Sequence, residues 1–456
     1  VLSAARLRVV VLTAGLLVSV ALVAHAQASG DQLNLLARGW LLVARGELVA
    51  YGNPLSSGGN GPGAATSVLV GLPLALWMNH RAPVILVWLC HLAALVLLDR
   101  ALRPALSPVE RAAFAVLWWL NPWRMEAGGF LWNPNFLLLV GAVHLATARA
   151  LAGRARFGAT FAHVAALGLG AQLHPAVLLL GALSVLLWWR GYVRVSWSGF
   201  AAGCAATIAS LAPWFAALAA HPEIRGATEG FPFRGLVYVF PLLKGLLYWL
   251  RYPSLALHHT ATRLDFTPRL GATADAWLAR PLEVTLAVAG VLTVVLALLA
   301  NVAFLRKRAL LARAPAAADA RAWVDGYVGL ALVAAVVVYA ASPTTPQSWQ
   351  GLPLFHAAVL PVVRGAGWLA RRAGERRALV AVALAAALAL VADLGLAWGG
   401  RNFRCGGRDP VVFPLRASSP MFEELGLQRT CPWPLDRPGG WWPDVLPAEP
   451  APAASP

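Results

Sequence analysis

Residues 371–397 read RRAGERRALVAVALAAALALVADLGLA. Four arginines and one glutamate precede residues 378–397, a run whose only charge is Asp393. About 20 apolar residues span a bilayer, and basic clusters beside a span mark its cytoplasmic end. The stretch therefore predicts a transmembrane helix running outward, with the chain from about 398 onward outside. The pattern recurs at 323–341, behind Arg306, Lys307, Arg308, Arg313 and Arg321. Of 456 residues, 59% are apolar and 12% charged, and mean hydropathy is +0.65. Soluble proteins carry about 25% charged residues. A water-soluble globule is excluded, and the reading is an all-α polytopic membrane protein.

Working backwards, further spans fall near 353–370, 282–304, 196–220, 175–189, 157–173 and 130–148. Their basic loops, 149–156 and 190–194, then lie inside. The first span, 9–26, follows Arg6 and Arg8 and runs outward. Ala24-His25-Ala26 has the small-residue form of a signal-peptidase site, but the apolar run is long and is read as an uncleaved span. Segments 64–78, 82–98 and 111–120 compete as crossings, and counting all three would place Arg100, Arg103 and Arg111 outside. Segment 64–78 is short and contains Pro73, so it is read as lying in or dipping into the outer interface. Eleven spans result, with the N-terminus cytoplasmic and the C-terminus periplasmic at a bacterial inner membrane. The inner side then holds 20 bases against 5 acids, and the outer side 17 against 15. The net charge of +17 is thus topogenic, and no nucleic-acid partner is needed to explain it.

The transmembrane domain is expected over 1–397, with outer loops 27–81, 121–133 and 221–281, followed by an extracytoplasmic tail, 398–456. The tail is rich in Pro and Trp, and its PAEPAPAASP end is expected to be disordered. Cys405 and Cys431 lie in it, and in an oxidising compartment they are expected to form a disulfide.

The most informative residue is Asp31, which opens DQLNLLARGWLLVARGELVAYG (31–52) just outside the first span. Apolar Leu35, Leu36, Trp40, Leu41 and Val43 suit a helix lying on the membrane surface. Asp31 at its N-terminus reads both as a cap and as an ionised carboxylate beside the positive end of the helix dipole. The series Asp31, Arg38, Gly39, Arg45, Gly46, NPLSSGGNGPG and an apolar helix resembles the first outer loop of the GT-C superfamily. These membrane glycosyltransferases use polyprenyl-phosphate-linked sugars and include the protein O-mannosyltransferases and lipid A aminoarabinose transferases. The resemblance implies that Asp31 is the catalytic base. The stretch LNPWRMEAGGFLWNPNFLLLVGAVHLATAR (120–149) is similar to the bacterial branch, where a second outer loop supplies an acid, here Glu126.

Sugar transfer from a lipid phosphate to a hydroxyl needs a carboxylate to take the hydroxyl proton. It needs donors or cations for the departing phosphate, and a site at the lipid–water boundary. Arg81, Arg124, Lys244 and Arg251 are the candidate cations. Lys244 sits in the amphipathic LVYVFPLLKGLLYWLRY (236–252), where snorkelling to the interface is the alternative. Asn133 opens the fourth span. Gln172 and His174, at an outer turn, are candidates for sugar hydroxyls, with local hydrogen bonding the plainer role. Walker A, GxSxG, HExxH and CxxC patterns are absent from the sequence. GGNGPG (58–63) is not expected to follow a strand, which argues against dinucleotide binding. No metal site is read, although a divalent ion stays an open alternative, and no cofactor is called for.

The expected function is an inverting glycosyltransferase, taking a sugar from polyprenyl phosphate to a lipid, glycan or protein acceptor at the outer face. The alternatives are a polytopic lipid transporter or flippase, or a non-catalytic lipid-binding component of an envelope assembly complex. A transporter calls for ionisable groups deep within spans, and few are expected from the sequence.

Overall fold

A computed structural model describes residues 3–28, 31–54, 59–222, 239–256, 264–306, 311–342, 345–400 and 420–427. The helices in chain order are α1 (Ala4–Ala24), α2 (Asp31–Trp40), α3 (Ala64–Leu76), α4 (Arg81–Leu102), α5 (Pro108–Phe114) and α6 (Pro122–Gly128). There follow α7 (Leu137–Ala150), α8 (Phe157–Leu173), α9 (Leu178–Trp189), α10 (Trp197–Ala220), α11 (Val239–Arg251) and α12 (Thr267–Leu270). The last are α13 (Ala272–Leu305), α14 (Ala320–Ala340), α15 (Phe355–Ala373), α16 (Glu375–Gly399) and α17 (Pro420–Glu424). The protein is an all-helical membrane bundle. Among the described residues, seven helices are long and apolar enough to cross a membrane, or eight if a broken pair counts as one span. The expected crossings at 111–120, 157–173 and 175–189 are helical but shorter. Lipid-facing surface is carried by α10 and α13, where Ile208, Phe215, Val288, Val291 and Leu292 are exposed.

The two ends of the bundle differ in charge. At one end Asp99 accepts from Arg8 (2.8 Å), Arg111 (3.2 Å) and Arg103 (3.3 Å). There too Glu110 is clamped by Arg321 (2.7 Å) and Arg364 (3.3 Å), and Arg364 also reaches Asp325 (2.7 Å). These contacts gather the starts of α1, α5 and α14 with the end of α4 and the middle of α15. Buried ionisable groups are more numerous than expected from the sequence. Glu110, Arg124, Asp325, Arg364, Asp393 and four histidines (His91, His144, His163 and His356) are buried within helices. The histidines are tied into hydrogen bonds: His144 to Tyr327 and Ser184, His163 to Thr147 and Ser184, His356 to Tyr327, and His91 to the Asn135 carbonyl.

The first outer loop departs from the surface helix expected of it. Its α2 is covered on both sides, with Leu33, Leu35, Leu36, Arg38 and Trp40 all buried. One cover is a hairpin of β1 (Tyr51–Pro54) and antiparallel β2 (Asn60–Pro62). A strand therefore does precede the glycine-rich run, but it belongs to a two-stranded hairpin and no βαβ unit is built. Arg38 donates to the carbonyls of Asn34, Tyr51 and Gly52 and to Asn53 Oδ1, pinning the hairpin to α2. Gly63 joins β2 to α3 where any Cβ would collide with the Tyr51–Gly52 peptide. The other cover is α17, whose Glu424 accepts from the Trp40 indole N–H at 2.7 Å, while Leu425 O accepts from His80 N–H. Segment 64–78 forms the short α3, with Pro73 inside it, one face buried through Val70 and Leu74, and Leu76 exposed at its end.

Candidate active site

Asp31 is the first residue of α2 and is exposed, at the end of the bundle away from the Asp99 and Glu110 ion pairs. Its Oδ2 accepts from the Trp132 indole N–H at 3.3 Å, and its backbone carbonyl accepts from Asn53 Nδ2 at 3.3 Å. A first-turn carboxylate lies where the backbone dipoles favour negative charge. Trp132 packs edge-on against Trp349 (4.6 Å between centroids) and stacks on Phe130 (6.0 Å). Trp349 belongs to the 3-10 turn Ser348–Leu354 leading into α15. The preceding Gln347 accepts from Lys244 Nζ at 3.4 Å, and the Ser348 carbonyl accepts from the Tyr252 hydroxyl. Carboxylate, aromatic wall and ammonium thus lie along one connected rim, built from four separate stretches of the chain.

Arg251, at the end of α11, donates to the Ala256 carbonyl and lies over the rings of Trp123 (5.2 Å) and Tyr248 (5.4 Å). Burial lowers its affinity for the proton somewhat below that of a free guanidinium. Arg81, the first residue of α4, is half-buried and belongs to a second basic group with Arg269, His25 and His80. Arg269 donates to the His25 carbonyl at 3.3 Å. This group borders residues 25–28, the approach to Asp31. Burial, then the neighbouring arginines, pull the His25 and His80 imidazoles below their ordinary value, against the pull of their backbone hydrogen bonds.

Arg124 is not brought to this rim. Helix α6 and the segment Asn133–Ala150 meet at 120°, so the outer segment turns back into the bundle and carries Arg124 with it. Its guanidinium is fully buried, stacked on Trp119 at 4.0 Å and donating to the Trp119 carbonyl, Ser19 Oγ and Met125 Sδ. Buried Asp393 is the opposite charge that it feels. Glu126 is on the same short helix, partly buried.

Three expected polar contacts serve the fold in this conformation. Asn133 donates to the Leu173 carbonyl, and Gln172 to Ser210 Oγ at 2.7 Å. His174 Nδ1 accepts from the Ala176 N–H at 3.1 Å and caps the turn Pro175–Val177. Burial pushes the His174 imidazole down to about 4, so it is neutral at physiological pH. Cys405, Cys431 and most of the tail lie outside the described residues. Trp132 and Trp349 were not singled out by the sequence reading. The available signal was topological, since both fall in outer segments between spans. No cluster of three or more metal-ligating side chains occurs among the described residues.

No family model and no curated protein matches the chain. Among solved structures it is similar to ArnT from Cupriavidus metallidurans in the apo state. Identity is 18% over 86% of this chain and 77% of that one, with a TM-score of 0.45. It is also similar to ArnT bound to undecaprenyl phosphate, at 16% identity over 85% and 77%, with a TM-score of 0.43. At this distance residue roles do not transfer between the chains.

Proposed function

We propose that the protein is an inverting glycosyltransferase that moves a sugar from a polyprenyl-phosphate donor to an acceptor hydroxyl at the outer membrane face. The observation that carries this reading is the placement of Asp31. It is an exposed carboxylate at a helix N-terminus, held by an indole N–H, on the same rim as Lys244. Asp31 takes the acceptor O–H proton while that oxygen bonds to the anomeric carbon. The bond from the anomeric carbon to the phosphate oxygen breaks on the opposite side, and polyprenyl phosphate leaves. Lys244 and Arg251 supply positive charge for the departing phosphate, and Arg81 supplies it from the neighbouring basic group. Trp132 and Trp349 offer the apolar faces on which a sugar ring packs. In this reading Arg124 is a bundle element, while Glu126 remains the candidate second acid.

Buried ionisable groups are what a transporter would also show. Glu110, Arg364 and Asp325 are joined in one ion-pair network, and Arg124, Asp393 and four histidines are buried elsewhere in the bundle, so the transfer assay is what separates the two readings. The test is transfer of a labelled sugar from polyprenyl phosphate by the purified, reconstituted protein, together with mass spectrometry of co-purified lipid. Absence of both polyprenyl phosphate and transfer activity would sink the proposal.

A further inference from the structure

Near Arg8, Arg100 and Arg103, α1 and α4 part to leave an open cavity of about 460 Å³. Its apolar wall includes Leu12, Leu16, Leu92 and Val96, and its floor is Trp119. Trp119 reaches this position because Gly15 has no side chain to block it. The indole N–H donates to the Leu12 carbonyl at 3.1 Å, so the floor presents no unsatisfied polar group. Such a floor suits a hydrocarbon chain, and Thr13 is the one uncharged polar side chain among the described residues that line the cavity.

The rim is charged. Arg8, Asp99, Arg100 and Arg103 line it. Asp99 already serves three cations, Arg8, Arg103 and Arg111, so one negative charge answers three positive ones. Arg100 adds another, and both Arg100 and Arg103 are exposed. The cluster lacks negative charge next to a slot shaped for an apolar chain. Both deficits are met by one molecule.

We propose that this groove binds an anionic phospholipid of the inner leaflet, its phosphate against Arg8, Arg100 and Arg103 and an acyl chain along Leu12, Leu16 and Trp119. Basic pockets between transmembrane helices on the cytoplasmic side take anionic headgroups on the same physical grounds. The site lies at the opposite end from Asp31 and does not depend on the transferase reading.

The test is native mass spectrometry of the full chain titrated with dioleoyl-phosphatidylglycerol, with dioleoyl-phosphatidylcholine of equal chain length, and with inorganic phosphate alone. Wild type should retain phosphatidylglycerol at least tenfold better than phosphatidylcholine, and free phosphate should not bind measurably. The double variant Arg100→Gln/Arg103→Gln should lose roughly 25-fold in phosphatidylglycerol affinity, at about fivefold per arginine. Leu16→Trp fills the slot from an exposed, lipid-facing position without touching any ion pair, and should lower phosphatidylglycerol binding about tenfold. Equal binding of the two lipids, binding of phosphate alone as tight as the lipid, or wild-type retention by either variant would overturn the proposal.

Discussion

Trp132→Phe keeps the aromatic packing of the rim and removes one N–H. The benzyl ring still meets Trp349 and Phe130, but the donor to Asp31 Oδ2 is gone. A hydrogen bond to a charged group is worth about 1.5–3 kcal/mol when well formed. Here the separation is 3.3 Å and the carboxylate is exposed, so water competes and the contribution falls to about 1 kcal/mol. If that energy orients the base, transfer slows roughly fivefold. The substitution trims part of the indole that packs against the core, so it should cost about 1 kcal/mol of thermal stability without unfolding the protein. The assay is single-turnover transfer in nanodiscs, run in a double-mutant cycle with Asp31→Asn. The loss should vanish in the Asn background, because there is no base left to orient. A full wild-type rate for Trp132→Phe would refute the reasoning. So would the same fivefold loss in both backgrounds, because Trp132 would then act on something other than Asp31.

Three further predictions concern the frame. Glu110→Gln should destabilise the bundle by about 3 kcal/mol, the low end for breaking a buried pair, because Arg364 keeps Asp325 and the Ala105 carbonyl. Arg321→Gln should cost under about 1 kcal/mol, since Arg321 is 41% exposed; equal costs in detergent unfolding would reject a buried network. His174 is held near 4 in the fold against 6.5 when free, so the unfolded chain binds more protons between those values. Stability should therefore fall as pH drops from about 6.5 to 4. His174→Asn, which can still accept from the Ala176 N–H, should lessen that fall, and melts showing the wild-type pH slope would contradict it. Single cysteines at Glu47 and Ala373 in a cysteine-free chain should react with impermeant maleimide from opposite sides of the membrane; equal reactivity from one side would overturn the sidedness.

Most helix positions were legible because they depend on local quantities, namely apolar run length and neighbouring arginines, and Asp31 does open a helix. Ends were less so: α13 begins at Ala272, before the expected 282, and the span expected at 130–148 is broken by a 120° bend. What was not legible depends on contacts distant in sequence. The apolar spacing of α2 describes one buried stripe, but its other side is closed by the hairpin and by α17, and Trp40 meets Glu424 across 384 positions. Arg124 was expected outside because it lies between two spans. Pro122 starts a short helix, Gly128 and Gly129 end it, and the 120° bend that follows folds the segment inward. Trp349 was passed over because QSWQGLP carries no chemistry of its own; it matters only beside Trp132. The rule that charges avoid the bilayer concealed Glu110, Asp325 and Arg364. They are tolerated because they neutralise one another at one end of the bundle.

The most direct measurement is the transfer rate of Asp31→Asn in reconstituted protein supplied with a polyprenyl-phosphate sugar. Asn keeps the size of Asp and suits a helix N-terminus about as well, and its amide oxygen can still accept from Trp132. It cannot take a proton at neutral pH. The account predicts a loss of roughly 10³–10⁴-fold in rate, within the range of general-base catalysis, with folding and donor-lipid retention near wild type. A variant that folds normally and transfers at the wild-type rate would contradict it and leave Asp31 a helix-end residue only.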